Sequence, residues 1–206
     1  MRDKFLLHGV GELLELTPEY AKVTLVPVED RLTEPSESGS RIANPRQPSS
    51  MNEQPLSFVV APQQNEENFQ CLLACLLEFN VRWARNAPVL LLSIARLTFA
   101  SNGAINRHAL HDVGQAMAHL TLQANASRLA VCQMAGFDIQ RARETYSIPE
   151  DHEPVTVAAI GYPGDPSTLS ERLRQKQLTP QKRNRLEDFV FEGKWKQPAK
   201  AVSEHK

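Results

Sequence analysis

The sequence has almost no net charge. Its 23 lysines and arginines stand against 24 aspartates and glutamates, a formal balance of -1, which argues against an overall electrostatic grip on a nucleic-acid backbone. No nucleic-acid partner is expected. Cysteine is also scarce: Cys71, Cys75 and Cys132 form an odd set without a C-x-x-C pair, so neither a disulfide framework nor a zinc knuckle is indicated. A reducing, cytoplasmic setting is the expectation. Long apolar runs are missing too. The longest, Ala87 to Ala95, is too short to span a bilayer, and Asp3, Lys4, Glu12 and Glu15 fall where a secretory signal needs an unbroken apolar stretch. The chain reads as soluble, with no membrane partner. The glycines form no G-x-G-x-x-G or P-loop pattern; Gly9, Gly11, Gly161 and Gly164 read as turn residues.

What is present is a chain long enough for one ordinary core, 41% hydrophobic. Its composition changes near residue 50. Glu29 to Ser50 is rich in Pro, Ser, Glu and Arg, with only Leu32 and Ile42 as large apolar residues, and cannot bury enough surface to offset its ordering entropy. Residues 1–47 are therefore expected to be partly extended or disordered, with a short helix and a strand at Ala21 to Val26. The globular part is expected over 48–196, with a flexible tail at 197–206.

Within the globular part, Leu56 to Ala61, Pro88 to Ala95 and Pro154 to Gly161 are apolar runs with the length and β-branching of buried strands. Asn65 to Asn80 spaces Phe69, Leu72, Leu73, Leu76, Leu77 and Phe79 as a helical core face. Arg107 to Leu129 does the same with Leu110, Val113, Met117, Leu120, Ala124 and Leu129. Asp138 is placed to cap a helix that ends before Pro149, and Ser167 one that runs through Lys176. Strands alternate with helices, which implies a sheet layered with helices.

Four features could carry chemistry. Pro48 to Pro55, P-S-S-M-N-E-Q-P, packs two hydroxyls, two amides and a carboxylate into eight residues. Asn and Gln each offer a donor and an acceptor, which suits a polar planar ring or a polyol; composition alone favours a solvated turn. Gln133 to Asp138, Q-M-A-G-F-D, has a glycine permitting close backbone approach to a ligand ahead of a helix start with free N–H groups. By the residues alone, a plain turn at Gly136 with Asp138 as cap is the preferred reading. Arg172, Arg174, Lys176, Lys182, Arg183 and Arg185 form a basic stretch in which a guanidinium could hold a phosphate, although a solvated helix face is the commoner cause. His108 and His111 share a helix face beside Asp112 without a further ligand cluster, so no metal site is assigned. Cys71 and Cys75, four apart, read as core.

Taken in order, P-S-S-M-N-E-Q-P, E-F-N-V-R-W-A-R-N-A-P-V, N-R-H-A-L-H-D-V-G-Q-A, Q-M-A-G-F-D, P-V-T-V-A-A-I-G-Y-P-G-D and E-D-F-V-F-E-G-K-W resemble the FMN-dependent nitroreductase family from Pro48 to about Trp195. The resemblance implies an α+β fold: a mixed, mainly antiparallel sheet layered with helices around a long central helix, in a homodimer with flavin shared between subunits. It implies that Pro48, Ser49, Ser50 and Asn52 reach the flavin, that Asn80 contacts the flavin or its ribityl chain, and that Met134, Ala135 and Gly136 lie beside the ring. Arg183 resembles a phosphate ligand, and Phe189 to Trp195 a segment crossing the dimer. The cofactor would carry the chemistry, with NADH or NADPH as donor, a ping-pong order, and a nitroaromatic or quinone as acceptor. No protein nucleophile is implied. Three positions depart from the family pattern: an arginine-rich N-terminal FMN motif is not found, Leu56 replaces an aromatic residue, and Arg128 replaces a helix-ending glycine. A non-catalytic relative that keeps the dimer, and a flavin-binding or flavin-modifying protein, stay open as alternatives.

Overall fold

In a computed structural model of the chain, the described residues are 25–26, 48–168 and 171–203. The rest of the N-terminal segment, with its expected helix, lies outside them. Compact packing divides the chain into Tyr20–Leu169 and a second unit to which Ser170–Lys206 belongs.

The first unit is built on strands β1 (Leu25–Val26), β2 (Leu56–Pro62), β3 (Val89–Arg96), β4 (Ala130–Met134) and β5 (His152–Pro163). The order is β1-β5-β3-β2, with β4 also on β5, and every pairing among the described residues is antiparallel. Successive side chains of a strand face opposite ways. Leu90, Leu92 and Ile94 of β3 and Val157 and Ala159 of β5 therefore enter one core with Phe69, Leu72 and Leu76. Leu91, Ala158 and Ile160 enter another with Met117, Leu120 and Ala124. Both faces of these strands are covered, which is why they read as unbroken apolar runs rather than alternating ones. Burying each such leucine stabilises the fold by about 1.5–3 kcal/mol.

Pro154 has no N–H to give the ladder, and the β3–β5 register slips there, pairing Ser93 with Thr156 but Ile94 with Pro154. The buried Ser93 hydroxyl repairs the slip. It accepts from Thr156 N at 3.1 Å and lies 3.2 Å from Thr156 O, to which it donates.

The helices are α1 (Glu66–Leu73), α2 (Glu78–Ala84), α3 (Ala109–Ala126) and α4 (Ile139–Tyr146). Asn65 caps α1 and Asp138 caps α4, each side chain accepting the amide three residues on. The single helix expected over 65–80 is broken. Leu76 forms a β-bridge with Phe137, Leu77 is extended, and Asp138 N donates to Cys75 O, so Leu77 and Phe79 leave the core for the surface. Cys71 is likewise exposed, while Cys75 is buried. The long helix is present, but its buried face is Ala109, Asp112, Val113, Ala116, Met117, Leu120 and Ala124. Leu110, expected on the core stripe, is 52% exposed: it is one residue out of phase with Ala109 and Val113.

In the second unit, α5 (Glu171–Leu178) and α6 (Lys200–Ser203) flank a segment without long elements. Ser167 does not stand where it was expected to cap a helix. It belongs to a short turn at Pro166–Thr168 and gives its amide to Asp165. Phe191 pairs with Pro198, Ala199 N donates to Val190 O, and the rings of Phe191 and Trp195 meet edge to face at 5.0 Å.

Candidate functional site

Two clusters in the first unit contain sequence-predicted site residues. The first is the loop before β2. Met51, Asn52 and Gln54 all have positive φ, 55°, 55° and 51°, a left-handed conformation that costs a non-glycine residue about 1–2 kcal/mol. Asn52 carries it most easily, since a short polar side chain can bond locally. Five contacts hold the loop in this form. Ser49 Oγ accepts from Gln54 N at 2.9 Å. Asp112 Oδ2 accepts from Ser50 N at 3.0 Å. Glu53 Oε1 accepts from Ala100 N at 2.8 Å and pairs with Arg96. Arg96 N donates to Pro55 O at 2.7 Å.

Pro48, Ser49 and Ser50 form one wall of an open cleft of about 270 Å³, with His108, His111, Asp112 and Gln115 of α3 as the other. His111 Nε2 lies 2.6 Å from Gln115 Nε2. Among the described residues no group of three His, Cys, Asp or Glu is placed to hold a metal.

The second cluster joins Asn80 to the turn after β4. Asn80, only 6% exposed, donates from Nδ2 to Gly136 O at 2.9 Å. Leu77 N donates to the same oxygen at 3.1 Å. The carbonyl of Gly136 is thus fixed from two sides. Neither Ala135 nor Gly136 directs its N–H to an acceptor among the described residues, and Ala135 is exposed. Met134 turns its side chain into the core, leaving only its backbone at the turn. A Cβ at Gly136 would lie 2.5 Å from Phe79 Cζ and 2.7 Å from Asn80 Nδ2, so the missing side chain is what lets helix and turn approach.

Asn80 and Gly136 do not line the Pro48–Ser50 cleft. Arg183 is exposed in the second unit, in the irregular stretch after α5. Sequence reasoning missed Glu53 as an ion-pair partner and Asp112 as a loop anchor. A signal existed for Asp112: it falls on the buried stripe of α3, where an aspartate requires a partner.

The shifted thiol and phenol lie at the C-terminal ends of α1 and α4. Burial raises the Cys75 thiol above its usual range. Burial, with the nearby thiols Cys75 and Cys71, pushes Tyr146 up to about 12.

An antiparallel sheet covered on both faces, with a long helix along one of them and a glycine turn clamped by an asparagine, defines an α+β domain. A profile of the nitroreductase family matches residues 41–162. The chain belongs to the nitroreductase family. Among solved structures it is similar to one described as an oxidoreductase containing FMN, at 29% identity and TM-score 0.74 over 86% of this chain and 88% of that one. A nitroreductase family protein of Streptococcus pneumoniae shares the fold at 17% identity and TM-score 0.63, over 87% and 99% of the two chains. An uncharacterized 15.4 kDa protein in the ask 5' region of Mycolicibacterium smegmatis is 36% identical over 92 residues, 45% of this chain, and the match covers 62% of that relative's length.

Proposed function

We propose that the chain is an FMN-dependent oxidoreductase that passes electrons from NADH or NADPH to a small organic acceptor, a nitroaromatic or a quinone, in ping-pong order. The observation that carries this reading is the Ala135–Gly136 turn. Its two N–H groups have no acceptor among the described residues, and its carbonyl is held by Asn80 and Leu77. A turn fixed in this way presents donors to acceptor atoms on a ring edge without reorganising. The absence of a Cβ at Gly136 lets Phe79 and Asn80 close on the turn, which helps hold its donors in place. When bound, FMN supplies the hydride chemistry.

The chain's own residues bind and orient. Ala135 and Gly136 face the ring edge, while Ser49, Ser50 and Asn52 offer hydroxyls and an amide to the ring or ribityl chain, with Pro48 limiting the loop's freedom. On the family resemblance alone, Arg183 is proposed as a phosphate ligand. Asn80 acts through Gly136, since its amide is already committed there.

A homodimer is part of the proposal. Leu110, Gly114, Ala118 and Leu122 form an exposed stripe along α3, four residues apart, with open space around Gly114. Small residues between leucines suit close packing against an identical helix, and pairing would let the two clusters meet across subunits. The absence of disulfides among Cys71, Cys75 and Cys132 accords with a cytoplasmic setting.

The test is an FMN titration of the purified protein, followed on the same sample by NADH and NADPH oxidation with a quinone. Yellow protein that consumes nicotinamide supports the reading. Protein that stays colourless and inactive with added FMN overturns it.

A further inference from the structure

The Pro48–Gln54 loop is held in its strained form by two carboxylates, one reaching it from α3 and one reaching out from the loop itself. Asp112 comes from the first turn of α3, 62 residues away, is only 2% exposed, and accepts the Ser50 N–H. Glu53 lies within the loop, pairs with Arg96 at the end of β3, and accepts the Ala100 N–H. Met51 and Asn52 lie between these anchors and Gln54 follows the second, each at positive φ. A loop with three left-handed non-glycine residues relaxes unless its surroundings over-determine it.

We infer that Asp112 and Glu53 are positioning residues that preset the Ser49–Asn52 loop for its ligand, Asp112 acting as a hydrogen-bond acceptor for Ser50 N–H. The loop's shape is then present before anything binds, so the ordering cost does not fall on the binding step. Asp112 has a second consequence. By taking the Ser50 amide, it fixes how the Ser49–Ser50 peptide lies along the cleft that His108 and His111 face from α3. The inference rests on the flavin reading only for the identity of the ligand.

The test compares Asp112→Ala with Asp112→Asn in the full chain. Asn keeps an acceptor oxygen and removes the charge; Ala removes both. Amide hydrogen exchange is followed at residues 49–54 without flavin, and FMN affinity is measured by titration. Exchange at Ser50 is expected to rise by about tenfold or more in Asp112→Ala, a factor equal to about 1.4 kcal/mol, with FMN binding weakened by a similar factor and Asp112→Asn restoring most of both. Should Asp112→Ala not fold, Asp112→Ser keeps a polar group there but is too short to reach Ser50, and must raise the same exchange. Glu53→Ala, which removes the acceptor, is expected to raise exchange at Ala100 while leaving Ser50 protected. Unchanged exchange at Ser50 in Asp112→Ala, or equal loss in Asp112→Asn spread over the whole fold, overturns the inference. If the wild-type protein takes up no FMN, the flavin reading fails and the exchange result still decides the anchoring.

Discussion

The Asn80 side chain donates to the Gly136 carbonyl across 56 positions of sequence, at 2.9 Å. That bond ties α2, which also carries Phe79, to the Ala135–Gly136 backbone.

Gly136→Ala is therefore expected to destabilise the protein by about 1–3 kcal/mol, the usual range for adding a methyl group to filled space. The contacts differ in how they can yield. Phe79 is 62% exposed and its ring can swing away, whereas Asn80 is buried and bonded. Phe79→Ala in the same background should then recover little, while Gly136→Ala combined with Asn80→Ala should be about as stable as Asn80→Ala alone. Urea denaturation of the four variants checks this. Additive losses in the double variant would show that the clash does not run through Asn80.

Much of the sheet is legible in the sequence because β3 and β5 are covered on both sides, and their apolar runs need no partner to be recognised. Asp138 is legible as a cap for the same local reason. The break between α1 and α2 is not, because Leu76, Leu77 and Phe79 keep helical spacing; what interrupts the helix is a bridge to Phe137, 61 positions on, a partner no local window contains. The site divides similarly. Ser49, Ser50, Asn80 and Gly136 are each visible as residue types, but the Asn80–Gly136 and Ser50–Asp112 bonds are long-range and appear only in the fold. Arg128 was legible as the wrong residue for a left-handed helix end, and it is found there.

Arg128 has φ 62°. Its N–H donates to Asn125 O and that of Leu129 to Ala124 O, the paired bonds of a Schellman cap, in which glycine is the favoured occupant. Arg128→Gly should raise stability by about 0.5–1 kcal/mol, or about 1–4 °C in Tm for a chain of this size. Arg128→Ala keeps the Cβ and should gain nothing. Calorimetry of both variants provides the measurement, and an equal gain in the two would assign the effect to the lost side chain instead.

Tyr146 supplies a pH-dependent prediction. Its hydroxyl is buried without a partner among the described residues, and its burial, with Cys75 and Cys71 nearby, raises the phenol from 10.0 to about 12. The folded protein thus keeps this proton where the unfolded chain releases it. The stability linked to it is fully present below pH 10 and is lost as pH rises toward about 12. Tyr146→Phe removes a hydroxyl that makes no bond, so at neutral pH it should be neutral or stabilising by up to about 1 kcal/mol. It should also flatten the alkaline decline. Cys75, likewise raised by burial, leaves a decline of the same sign in the variant, so the comparison rests on the difference between the two proteins. Denaturation midpoints from pH 8 to 11.5 give that difference. Parallel curves would mean that the Tyr146 hydroxyl reaches solvent and titrates alike in both states.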